Sequence, residues 1–192
     1  KTINNPGEKF FGQKIVNCFK SKKYVAIHSL GLAQHKYKHY GEADFVLITD
    51  MGIFCIEVKG GSVTREDGVW TIGGSYTSNE GPFKQAQGTI HPIRKRLYQE
   101  DKNRAKKFPI GWGVVFPNSD FDEVDPEWEN YHICNSNSIN SPEKYIKNLA
   151  INTQENLRIT KGFTYTENIT NDDINWALNC LRPDISSLSL SS

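Results

Sequence analysis

The first regular pattern is Phe11, Ile15, Cys18 and Phe19, apolar positions at helical spacing behind Asn5-Pro6-Gly7-Glu8. Asn5 can cap, Pro6 suits the first helical position, and Glu8 falls three residues after the cap, so a helix to about residue 20 is predicted. Tyr24 to His28 reads as a short strand. Residues 31–41 read as a polar, basic connection. Two apolar, β-rich runs then flank Asp50-Met51-Gly52: Phe45 to Ile48 and Ile53 to Ile56. They predict a hairpin, and their near-continuous apolar character predicts strands covered on both faces, central in an α/β sheet. Val63 to Glu66 and Val69 to Ile72 flank Asp67-Gly68, a second hairpin with a type I′ turn.

Further along, Pro82 opens a helix carrying Ala86, Ile90, Ile93 and Leu97 on one face, with Pro92 expected to kink or locally break it. Gly111 to Phe116 reads as a strand stopped by Pro117, residues 118–130 as an acidic loop, and Tyr131 to Cys134 as another strand. Ser141-Pro142 starts a helix with Ile146, Leu149, Ala150 and Leu157 inward. Thr170 and Asp173 have capping-box spacing before a last helix with Ile174, Ala177, Leu178 and Leu181. Residues 183–192 are Ser-rich and without period, the pattern of a linker.

Composition changes this picture little. The chain has 192 residues, 37% of them apolar, enough for one domain with a core. No apolar run is long enough for a membrane span or a signal peptide. The four cysteines (Cys18, Cys55, Cys134, Cys180) are widely spaced without a CxxC pair, which fits reduced, buried thiols and a cytoplasmic location. The net charge of +1 excludes a uniformly basic coat, but its distribution is uneven. Residues 1–40 carry +7, 41–83 carry −5, 84–107 carry +6, 108–135 carry −6 and 136–192 carry −1. Two basic blocks thus flank an acidic one in sequence.

The acidic block holds charges that interrupt apolar strands: Asp44, Glu57 and Lys59. Burying such charges unpaired is costly, so they need a reason. A two- or four-residue loop centred between Asp50 and Met51 sets Phe45 against Ile56, Val46 against Cys55, Leu47 against Phe54 and Ile48 against Ile53. Every apolar residue then meets another, whereas a three-residue loop would put Glu57 against Phe45. The first register brings Asp44 opposite Glu57 and Glu42 opposite Lys59. Two opposed carboxylates want a cation between them, and hard oxygen donors suit Mg²⁺ or Mn²⁺. Lys59, two residues from Glu57, points the same way and could steer a water or stabilise a phosphate oxygen. The bland alternative is a Glu42–Lys59 ion pair with Asp44 at a strand start. The five histidines lack the spacing of a zinc site; His35 and His39 with Lys36 and Lys38 read as a basic loop. The Gly73-Gly74 and Gly60-Gly61 pairs lack the context of a phosphate loop.

Asp44 followed by Glu57-x-Lys59 resembles the PD-(D/E)xK nuclease core. More narrowly, residues 41–61 resemble the nuclease-related domain, NERD. The resemblance extends to Gly7-Glu8 in the first helix, Gly60-Gly61 after the lysine, Pro82-Phe83-Lys84-Gln85-Ala86 at a helix start, and Val114-Val115-Phe116-Pro117 closing a strand. It implies an α/β, restriction-endonuclease-like core with a mixed central sheet flanked by helices. It also implies Mg²⁺-dependent hydrolysis of DNA: Asp44, Glu57 and the Val58 carbonyl bind the metal, Glu8 supports it directly or through water, Lys59 orients the attacking water, and Gln85 approaches the same site. The basic blocks suggest Lys36, Lys38, Lys84, Arg94 and Lys95 as DNA contacts. Residues 1–182 would form the nuclease domain. Such domains often precede a superfamily-1 helicase, so the Ser-rich end is expected to lead toward a helicase region of a longer protein, with a role in defence or repair by analogy. The competing expectation is a non-catalytic DNA-binding or assembly module that keeps the fold.

Overall fold

A computed structural model of the chain describes residues 5–18, 24–31 and 42–182. Its elements are α1 (Pro6–Cys18), β1 (Tyr24–Gly31), β2 (Glu42–Thr49), β3 (Gly52–Val58), β4 (Val63–Glu66), β5 (Val69–Ile72), β6 (Tyr76–Ser78), α2 (Pro82–Gly88), α3 (Ile90–Glu100), α4 (Lys102–Ala105), β7 (Ile110–Val115), β8 (Ile133–Cys134), α5 (Pro142–Lys161) and α6 (Asn171–Leu181). One sheet has the order β1-β2-β3-β7-β8 and a smaller one β4-β5-β6. The large sheet is mixed: β1–β2 and β2–β3 pair antiparallel, and β3–β7 and β7–β8 pair parallel.

The β2–β3 hairpin has the register in which Phe45 meets Ile56 and Ile48 meets Ile53. Thr49 closes it, its hydroxyl donating to the Gly52 carbonyl and accepting from the Met51 N–H. All seven residues of β3 are buried, as its apolar run required. One sheet face packs Phe45, Leu47, Phe54, Ile56 and Val58 against Phe11 and Ile15 of α1 and Ile146 and Leu149 of α5. The other packs Val46, Ile48, Ile53 and Cys55 against Ile93 and Leu97 of α3 and Ile174 and Ala177 of α6. A third cluster joins Trp70 of the small sheet to Phe83, Phe116, Phe121 and Trp128.

The β4–β5 turn has both Asp67 and Gly68 at positive φ, the type I′ geometry. Thr170 and Asp173 form a reciprocal capping box at the start of α6. Several features depart from the sequence reading. Of the expected Tyr131–Cys134 strand only Ile133–Cys134 forms, because residues Asn130–His132 wind into a 3-10 turn, and a short helix, α4, forms at Lys102–Ala105. A third strand, β6, completes the small sheet. The helix after Pro82 does break locally, and the break falls at Thr89, ahead of Pro92 itself. A proline within a helix cannot donate to the carbonyl four residues back and crowds it, here that of Gly88, so the break falls one turn early. All four cysteines are free; Cys18 is only half-buried. Among the described residues no helix is long and apolar enough to cross a membrane.

Candidate active site

The site forms where β1 ends, β2 begins and β3 leads into Lys59. Asn5 caps α1, its side-chain oxygen accepting from the Gly7 and Glu8 N–H groups. This helix start is pressed onto the end of β3: a Cβ on Gly7 would lie 3.2 Å from the Cα of Gly60. Only a residue without a side chain allows backbone to approach backbone this closely. Glu8, the next residue, is thereby carried to the strand ends. The Lys59 N–H continues the parallel pairing by donating to the Val115 carbonyl, and the Asn118 side chain accepts from the Gly61 N–H.

The hairpin ladder closes at Phe45–Ile56, and one step beyond it the Asp44 carboxylate accepts from the Val58 N–H at 2.8 Å. Glu57 is 6% exposed, and its carboxylate bonds Lys59 Nζ at 2.6 Å. The two side chains point the same way, as their spacing requires. Burial raises the pKa of Glu57 to about 7, with the neighbouring Asp44 charge adding and Lys59 opposing. Asp44 is also raised, chiefly by burial and then by Glu8, although the Val58 N–H pulls the other way. Two acids that resist ionisation because they are buried together are what a divalent cation relieves. Among the described residues no three His, Cys, Asp or Glu side chains form a ready-made metal cage. The Asp44 and Glu57 carboxylates with the Val58 carbonyl would offer a cation hard oxygen donors, the kind that fit Mg²⁺ or Mn²⁺.

His28 of β1 was not legible as a site residue. Its Nε2 lies 2.5 Å from Glu8 Oε2, and its ring sits 5.0 Å from that of Phe45, its partner in the β1–β2 register. The signal that could have found it is the strand pairing: once β1 is set against β2, His28 falls beside the residue next to Asp44. Gln85 is on α2, which packs on β3 and β7, and its Oε1 is buried with no hydrogen-bond partner. No bond joins it to the carboxylates.

The basic residues divide. Lys84 is exposed and 3.8 Å from Glu127. Arg96 bonds the Cys180 carbonyl and Glu100, Arg104 bonds Asp172 and Asp173, and Lys107 lies 3.4 Å from Asp173. Much of the 84–107 block thus fastens α3 and α4 to α6. Arg94 lines a separate groove of about 320 Å³ with Trp112, His132 and Lys161, and Lys95 is exposed. Within the 108–135 block, Asp125 pairs with Arg65 at 2.5 Å, and Glu129 caps the 3-10 turn Asn130–His132 before β8. Lys36 and Lys38 lie outside the described residues, as does the side chain of Glu42.

A mixed α/β sheet whose antiparallel hairpin carries an aspartate at one strand start and Glu-x-Lys at the end of the next defines a nuclease-like fold of the PD-(D/E)xK kind. The family model of the nuclease-related domain, NERD, matches residues 3–117, more than half of the chain, and the protein belongs to that family. No curated protein and no solved structure matches it. α5 and α6, beyond the matched stretch, pack on the same sheet.

Proposed function

We propose that this nuclease-related domain hydrolyses DNA phosphodiester bonds with Mg²⁺ or Mn²⁺. The observation that carries the reading is the buried Glu57, bonded to Lys59 and close enough to Asp44 for that charge to raise its pKa. Asp44, Glu57 and the Val58 carbonyl would hold the cation, with Glu8 supporting it. When bound, the ion supplies electrophilic stabilisation of the charge that builds on the phosphate. Lys59 donates from its ammonium: it orients the attacking water and offsets charge on the reacting phosphate. Gln85 offers its unpartnered oxygen on the α2 side. Burial of Glu57 keeps bulk water from competing with these contacts. DNA would be drawn in by cations not already used to fasten helices, Arg94 and Lys95 among them, and by Lys36, Lys38 and Lys84. A helicase region in the same full-length protein would supply the strand to be cut in defence or repair.

The test is incubation with linear, nicked, circular and single-stranded DNA in Mg²⁺, Mn²⁺ or EDTA, beside Asp44→Ala and Lys59→Ala. Cleavage that needs the cation and both residues is expected. Metal-independent cleavage, or variants as active as the unaltered protein, refutes the assignment. Salt-sensitive DNA binding without cleavage points instead to a non-catalytic DNA-binding module.

A further inference from the structure

Glu8 joins Asp44 and Glu57 as a third acid at the strand ends, and its charge raises the pKa of both. Each of the three carboxylates has a donor from the protein. Glu57 has Lys59 at 2.6 Å, Asp44 has the Val58 N–H at 2.8 Å, and Glu8 has His28 at 2.5 Å. The third donor comes from β1, outside every motif on which the family resemblance rests. It is braced on two sides: the imidazole ring sits against Phe45, and the His28 carbonyl accepts from the Arg182 guanidinium at 2.9 Å.

Glu8 needs such a restraint. It lies in the first turn of α1, and its side chain is 14% exposed. With its charge felt by two other acids, it would lower its energy by turning toward solvent, where like charges are screened. With its proton on Nε2 the His28 ring donates to the Glu8 carboxylate, and hydrogen bonds to a charged acceptor are about twice as strong as neutral ones.

We propose that His28 is a positioning residue of the carboxylate site: it holds Glu8 at the strand ends with Asp44 and Glu57, where it can accept from water around a bound cation. The role rests on the metal-dependent reading above. It differs from a plain structural tie between α1 and β1, which would affect stability and leave cation affinity unchanged.

The experiment measures Mn²⁺ affinity of the full chain by titration calorimetry, with the melting temperature of each variant as a control on folding. His28→Phe keeps a ring against Phe45 and removes the donor; His28→Asn keeps a donor; His28→Ala removes the donor without crowding. Loss of an outer partner of this kind costs about 10–100-fold in cation affinity. That weakening is expected for His28→Phe and His28→Ala, with partial recovery in His28→Asn. In a Glu8→Ala background, His28→Phe should add nothing further, because the residue it positions is gone. Wild-type affinity in both donor-free variants, or an undiminished loss in the Glu8→Ala background, overturns the role of His28. If at the same time Asp44→Ala has lost Mn²⁺ binding, the metal site stands and only the His28 role falls. If the unaltered protein binds no Mn²⁺, both fall together.

Discussion

Replacing Glu57 by Gln should stabilise the cation-free protein at alkaline pH. Glu57 is buried beside Asp44, and its pKa rises from the ordinary 4.5 to about 7. A carboxyl whose pKa is higher folded than unfolded takes up protons on folding. Its ionisation therefore opposes the folded state fully above about pH 7 and not at all well below 4.5. A rise from 4.5 to about 7, at about 1.4 kcal/mol per unit of pH, sets the cost at about 3–4 kcal/mol. Gln has the shape of the neutral acid and escapes it, while Lys59, whose side chain is 23% exposed, can turn to water. The assay is urea unfolding in EDTA at pH 8, 6 and 4. E57Q should exceed the unaltered protein by about 1–3 kcal/mol at pH 8, less at pH 6, and by nothing at pH 4. Adding Mg²⁺ should then favour the unaltered protein, since a ligand at 100 times its Kd contributes about 2.7 kcal/mol. An E57Q protein no more stable at pH 8, or a gain independent of pH, would refute the reasoning.

Burial holds His132 near a pKa of about 4, so the unfolded chain binds more protons between that value and 6.5; stability present above pH 6.5 should be lost as pH falls toward 4, and the same urea series on His132→Gln should show a shallower decline. Lys59→Met should cut the DNA cleavage rate by about 10²–10⁴-fold while Mn²⁺ still binds by calorimetry, because the cation's ligands remain. Gly7→Val should displace the start of α1 from Gly60, costing about 1–3 kcal/mol in urea unfolding and weakening Mn²⁺ binding, since Glu8 moves with the helix.

The hairpin register was legible because it lets every apolar residue of Phe45–Ile48 meet an apolar residue of Ile53–Ile56, whereas a shift by one residue puts Glu57 against Phe45. The type I′ turn at Asp67-Gly68 and the cap at Thr170 were legible for the same reason: each is a local rule with a local residue signature. Interactions across long stretches of chain were not. His28 and Glu8 are 20 positions apart, and no spacing links a lone strand histidine to a helix acid. Arg104 looked like part of a basic face, but its partner Asp173 lies 69 positions away, so a charge block read as a DNA surface proved in part to be a brace between helices. β6 went unread because three polar-flanked residues carry too little pattern to announce a strand.

The compact β2–β3 hairpin has a consequence for the order in which the protein folds. Asp44 and Val58 are 14 positions apart, whereas the parallel pairing of Ile53 with Ile110 must close a loop of 57. Local contacts form sooner than distant ones, so the mutually repelling acids meet before the rest of the sheet exists. Their repulsion then falls on the barrier to folding as well as on the finished molecule. A cation or mild acid that quiets it should speed refolding more than it slows unfolding. In stopped-flow traces, Mg²⁺ acting only on the unfolding limb would mean that the acids come together late.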